Sequence, residues 1–200
     1  MKKFLFSMLM LALVAPVCAQ NYNFPINEAG ECVFSGTVSN SNSKSDNYNK
    51  AKAWCNNQGF TAMNIISDTP SEAYTMNIGY IITQKYNPFA GAFVENLIFD
   101  MHVEVADNQV TYSFRNMQIQ EVYGGWGTSN KINTIKAKMD LIVDAKKKIE
   151  EANNNESLSK KERKKIVGDA EGDIKNAEET LEKAYKEFNE KLDNFVKALQ

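Results

Sequence analysis

The chain has 200 residues, 43% of them hydrophobic, with 23 basic and 25 acidic side chains and a single histidine. The mildly acidic balance excludes nucleic-acid binding driven by charge. The length is enough for one core and an appendage rather than for several independent cores.

At the amino end, Lys2 and Lys3 precede an apolar run from Phe4 to Val14, the helix-breaking Pro16, and then the small residues of Val17-Cys18-Ala19. Charge, grease and small residues in that order describe a signal peptide spanning 1–19, because the run is too short to cross a bilayer and remain there. Cleavage after Ala19 is expected, giving a periplasmic or secreted protein with no transmembrane span. Lipidation of Cys18 fits poorly with Val17 before it and Pro16 behind. Loss of Lys2 and Lys3 takes the 23 basic side chains to 21 against 25 acidic ones, a net of −4.

Residues 20–123 are aromatic and β-branched and read as an α+β domain. Cys32 to Val38 alternates as a strand, and Ser45 to Asn56 reads as a helix capped by Ser45 or Asp46. The two cysteines left after cleavage, Cys32 and Cys55, lie on the inward faces of these elements, with Phe34 and Val38 and with Tyr48 and Ala51 respectively. Two readings stay open: a disulfide, as an oxidising compartment favours, or a pair of buried free thiols. Ala62 to Ser67 is a short apolar strand, followed by turn chemistry at Asp68-Thr69-Pro70-Ser71. Tyr74, Met76, Ile78, Tyr80 and Ile82 then alternate along a half-buried strand.

The sharpest local signal is a hairpin turning at Asp107-Asn108. Closing it at Ala106 and Gln109 sets Val105 against Val110, Val103 against Tyr112 and Met101 against Phe114. On the other face Glu104 meets Thr111, His102 meets Ser113 and Asp100 meets Arg115. A slip of one residue would mix the two faces. The resulting order of elements makes a curved antiparallel sheet with one helix packed on it.

The strand from Cys32 to Val38, the helix carrying Tyr48, Ala51 and Trp54, the strand with Gly79-Tyr80-Ile81 and the hairpin from Phe99 to Arg115 together resemble the secreted bacterial domains of unknown function 4468. The resemblance covers about residues 28–122 and implies a fold like that of the TATA-binding protein. It supplies no catalytic motif, and its fold name carries no DNA binding with it. The departures are the Asp107-Asn108 turn, where a glycine-containing turn is expected, and everything beyond the hairpin, which is an addition.

A Gly-rich linker is expected at 124–129, holding Trp126, which either anchors a partner or pins the linker to the core. Composition then changes. Residues 20–130 carry five basic and ten acidic side chains, and residues 131–200 carry sixteen and fifteen. From 130 to 200 the spacing predicts a helical hairpin with coiled-coil character. One stripe runs through Ile132, Ile135, Met139, Ile142 and Ile149, and a second from Val167 to Leu199, opened by a capping box at Ser159 and Glu162. At 1.5 Å per residue the helices span about 34 Å and about 60 Å. The surplus of the longer one, carrying Tyr185, Phe188 and Phe195, either packs on the open sheet or forms an interaction surface for an unknown protein partner or a second copy. Gly168 and Gly172 within it mark either a close helix crossing or a loose first turn.

For chemistry, Asp100, His102 and Glu104 share one strand face, a set that can hold a metal or move a proton. Polar residues are also what an outward strand face ordinarily carries. No nucleophile elbow, phosphate loop or zinc spacing stands elsewhere, and no cofactor is implied. The reading is a non-catalytic extracytoplasmic binding or assembly module. The alternative is a metal-assisted hydrolase on the His102 face.

Overall fold

A computed structural model describes residues 22–88, 91–124 and 129–200. The expected signal segment, 1–19, and Trp126 lie outside the described residues. The elements are β1 (Phe34–Ser39), α1 (Lys44–Asn56), β2 (Ala62–Thr69), β3 (Ala73–Asn87), β4 (Gly91–Ala106), β5 (Gln109–Tyr123), β6 (Ser129–Thr134), α2 (Ile135–Asn154) and α3 (Lys160–Leu199). The expected α+β architecture is the one the chain adopts.

Six antiparallel strands run in the order β1-β5-β4-β3-β2, and β6 also pairs with β5. β1 takes Gln109 to Phe114 and β6 takes Gln118 to Tyr123, so the two short strands share one edge of β5 end to end. The β4–β5 register is the one read from the sequence, from Ala106 opposite Gln109 to Asp100 opposite Arg115. Asn108, at φ 63°, supplies the left-handed residue of the turn where a glycine was expected. Bulges follow at Ile98/Asp100, where Asn116 on β5 has φ 55°, and at Ile81/Thr83 on β3. Such insertions bend long strands.

Alternation places Leu97, Phe99, Met101, Val103 and Val105 of β4 in the core, with Tyr74, Met76, Ile78 and Tyr80 of β3 beside them. α1 starts at Ser43, whose hydroxyl accepts from the Asp46 N–H, two residues before the earlier of the expected caps. It buries Tyr48, Ala51, Trp54 and Cys55 on this face. The Ser159–Glu162 capping box opens α3 as expected.

Four expectations need correction. Residues 130–134, expected to open a helix, belong with Ser129 of the expected linker to strand β6, and Ile132 is exposed there instead of leading a helical stripe. The short strand read at 62–67 runs on through Asp68 and Thr69, read as turn, to form β2, an open edge with every residue exposed. Gly168 and Gly172 meet nothing within 4 Å, and no helix crosses them. Phe188 and Phe195 offer no interaction surface: Phe188 is 1% exposed among Phe34, Phe99 and Phe114, and Phe195 is 0% exposed among Trp54, Tyr112 and Phe114. Tyr185 is half-buried with its ring edge-on to Phe24. The long helix therefore lies on the sheet beside α1, and its stripe serves its own core.

The end of α3 is held by asparagines. Asn40 and Asn42 both donate to the Leu199 carbonyl, at 2.8 and 3.1 Å. Both also donate to Asn47 Oδ1, while Asn47, fully buried, donates to the Ala106 carbonyl beside the hairpin turn.

Candidate functional site

Strand alternation continues beyond the apolar core, and there it places charge inside. Two residues before Leu97 on the buried face of β4 comes Glu95, and two residues after Ile119 on β5 comes Glu121. The two stand directly opposite each other, 5% and 7% exposed. Thr83 of β3 pairs with Glu95 on the other side, so three polar side chains form one row across three strands. In the next row Lys85 pairs with Phe93, and Phe93 with Tyr123, with those two rings 4.8 Å apart.

The helices cover this patch with matched polar groups. Lys138, three residues after the buried Ile135 on α2, projects inward and its ammonium bonds Glu121 Oε1. Tyr123 donates its phenol proton to Glu121 Oε2 at 3.2 Å. Burial, and next the charge of Glu121, push that phenol above its usual range. Glu121 is thus served by a cation and a hydroxyl.

Glu95 is served differently. Its hydrogen bond comes from the Thr180 hydroxyl of α3, at 2.7 Å, and that hydroxyl also lies 2.9 Å from the Asn176 carbonyl. One hydroxyl carries one proton, so the two acceptors compete for it. Thr83 Oγ1 beside Glu95 is buried with no hydrogen-bond partner. A buried carboxylate with half a donor is costly to hold in a folded chain unless something else completes it.

That something has room. A cavity of about 270 Å³ opens over the two rows, with Glu95, Glu121, Phe93 and Tyr123 among the strand residues that line it, and Thr180 and Lys138 from the helices. Lys85, Lys183, Glu179 and Asn176 complete the lining and are themselves exposed. The site can bind a small polar molecule through charge and through stacking.

The residues singled out from the sequence lie elsewhere. Asp100, His102 and Glu104 stand on the opposite face of β4. His102 Nδ1 is 2.8 Å from Thr75 Oγ1 and its Nε2 is 3.0 Å from Glu104 Oε1, while Asp100 accepts from Asn77 and Asn116. Asp100 and Arg115 are opposite in register, yet Arg115 donates to Ser113. Among the described residues, no three of His, Cys, Asp and Glu are arranged to hold a metal ion. The candidate metal face is therefore corrected to an open polar strand surface, with the Glu104 side chain 65% exposed.

Cys32 and Cys55 are both buried and both free, which corrects the disulfide reading. Cys32 Sγ points at Met117 Sδ at 3.5 Å and Cys55 Sγ at Met101 Sδ at 3.7 Å. Burial pushes the thiols up to about 12 and about 11.

Glu95, Glu121, Lys138 and Thr180 were missed in the sequence reading because its stripes followed apolar residues only. The signal for Glu95 was charge at an inward position of β4; Glu121 on β5 and Lys138 on α2 carry charge inward as well.

No protein-family model matches the chain, and no curated protein does. No helix among the described residues is long and apolar enough to cross a membrane. Two solved structures are similar to it. One is a TBP-like protein from Parabacteroides distasonis, 17% identical with a TM-score of 0.38, covering 78% of this chain and 96% of that one. The other is a DUF4468 family protein from Bacteroides ovatus, a member of the family that the sequence resembles, 14% identical with a TM-score of 0.37, covering 78% of this chain and 90% of that one.

Proposed function

We propose that the chain is a non-catalytic extracytoplasmic binding module whose ligand sits in the cavity between α2, α3 and strands β3 to β5. The observation that carries this is the pair Glu95 and Glu121: two inward carboxylates on the floor of a cavity, one of them short of hydrogen-bond donors. An apolar pair at those positions would pack the same sheet at less cost, so their placement points to recognition rather than to stability.

Two further observations support a binding role over a reactive one. The buried thiols are held far above neutral pH, where the nucleophilic thiolate is scarce. The only imidazole is bonded at both ring nitrogens on an open strand face. The extracytoplasmic assignment rests on the order of charge, grease and small residues before Gln20.

The test is protein-observed NMR of the mature chain against a library of small polar metabolites at millimolar concentration. Shifts concentrated on Glu95, Glu121, Tyr123 and Thr180 are expected for at least one compound. Shifts confined to the His102 face, or none near the cavity, would overturn the reading.

A further inference from the structure

The cavity is not evenly charged, and the unevenness describes a ligand. Glu121 has Lys138 and the Tyr123 phenol. Glu95 has only the shared proton of Thr180 and appears in no ion pair among the described residues. The site therefore lacks a cation, or a group with several N–H donors, at one oxygen of Glu95. An ammonium meets that need, because it brings three donors and the opposite charge to a desolvated carboxylate.

The next row toward the mouth is made of rings. Phe93 and Tyr123 lie two residues, about 7 Å of strand, beyond Glu95 and Glu121. Aromatic faces beside a carboxylate suit a cationic group and an apolar side chain together. At the mouth the sign reverses. Lys85 on β3 and Lys183 on α3 line the opening and form no ion pair among the described residues, while the rim carboxylate Glu179 is 3.9 Å from Lys175. The series from floor to mouth is carboxylate, rings, ammonium. A cavity of about 270 Å³ is at the small end of ligand-binding clefts, which run upward from about 300 Å³, and suits a small metabolite rather than a peptide.

Building on the binding-module reading, we propose that the ligand is a free amino acid, its ammonium on Glu95, its apolar part against Phe93 and Tyr123, and its carboxylate toward Lys85 and Lys183. A metal ion fits less well, since Lys138 already occupies Glu121 and leaves Glu95 as a single carboxylate with hydroxyl neighbours, too few anionic oxygens for a divalent cation. A neutral sugar would leave the lysines at the mouth and the unpaired charge of Glu95 without purpose.

The test is calorimetry and protein-observed NMR of the mature chain with free amino acids, their N-acetyl and carboxamide derivatives, and a set of monosaccharides. At least one free amino acid is expected to bind, and N-acetylation or Glu95→Gln to weaken it by roughly thirtyfold or more, as removal of one member of a desolvated charge pair does. The double change Lys85→Met with Lys183→Met should weaken the free acid and leave its carboxamide unchanged. Tyr123→Phe, which keeps the ring at a position 44% exposed, should leave binding in place, and Tyr123→Leu should weaken it. Binding that is indifferent to N-acetylation and to Glu95→Gln overturns the proposal. A monosaccharide that shifts the cavity residues when no amino acid does overturns the ligand class and leaves the binding module standing. Silence of the cavity toward every probe overturns both.

Discussion

Glu95 and Glu121 face each other across neighbouring strands inside the protein, and only Glu121 has a lysine. The chain thus commits one cation to two interior carboxylates. Removing that cation leaves Glu121 with the Tyr123 hydroxyl alone and Glu95 with that of Thr180.

Lys138→Met is accordingly expected to destabilise the fold by about 3–5 kcal/mol, the usual result of breaking a buried pair from one side. Adding Glu121→Gln should recover most of the loss. Urea denaturation of the wild type, the single and the double variant checks this; a double variant no more stable than Lys138→Met alone would contradict it.

Gly168 and Gly172 sit in the exposed interior of α3 with nothing near a substituted Cβ. Changing both to alanine should raise stability by ~1–2 kcal/mol, because alanine loses less backbone entropy in a helix. At roughly 2–4 °C per kcal/mol for a chain of this size, calorimetry will read the rise directly. A fall in Tm would mean that something packs on this face after all.

The thiols of Cys32 and Cys55 should be nearly inert in the native state. Both are buried, and both are held in the protonated form well above pH 8. Ellman's reagent at pH 8 is expected to react slowly with the folded mature protein and to titrate both thiols rapidly in guanidinium. Rapid native labelling, or fewer than two thiols in denaturant, would show that this account of the core is wrong.

Asp68 gives the fold an acid-sensitive contact. The Lys52 ammonium, and then the Tyr48 hydroxyl, hold its carboxyl below the usual range. A depressed carboxyl contributes stability that is complete above its unfolded value, about 3.9, and is lost as pH falls through the lower folded value. The stability gap between wild type and Asp68→Asn should therefore be flat above about pH 5 and shrink below about pH 4. An equal gap at pH 3 and pH 7 would exclude the linkage.

The hairpin was legible in the sequence because its apolar residues fall on one parity from Leu97 to Val105 and its turn is short. One register alone pairs them. Glu95 keeps the same parity on β4, so it was legible to a reading that follows position before polarity; Glu121 was not, because the bulge at Ile98/Asp100 shifts the inward set of β5 from Val110, Tyr112 and Phe114 to Met117, Ile119 and Glu121. β6 was not legible. Its six residues hold one large apolar side chain, Ile132, and that one faces solvent, so the backbone ladder with β5 defines the strand and side-chain spacing does not. The cysteines show a similar limit. Each was assigned inward on its own element, yet Cys32 is set beside Met117 of β5 and Cys55 beside Met101 of β4. Which part of the sheet an element lands on is decided by packing between elements, and spacing within each one is silent about it.

The asparagines that grip Leu199 also set an order of events. A chain delivered from its amino end has Asn40 and Asn42 waiting until the final turn of the last helix arrives, and until then the aromatic interior that Phe188 and Phe195 fill stays open to water. Closure of that interior thereby leans on contacts between segments 157 and 159 residues apart along the chain. Clipping Leu199 and Gln200 would take away the carbonyl that both asparagine amides grip and leave the last turn of α3 without that tether.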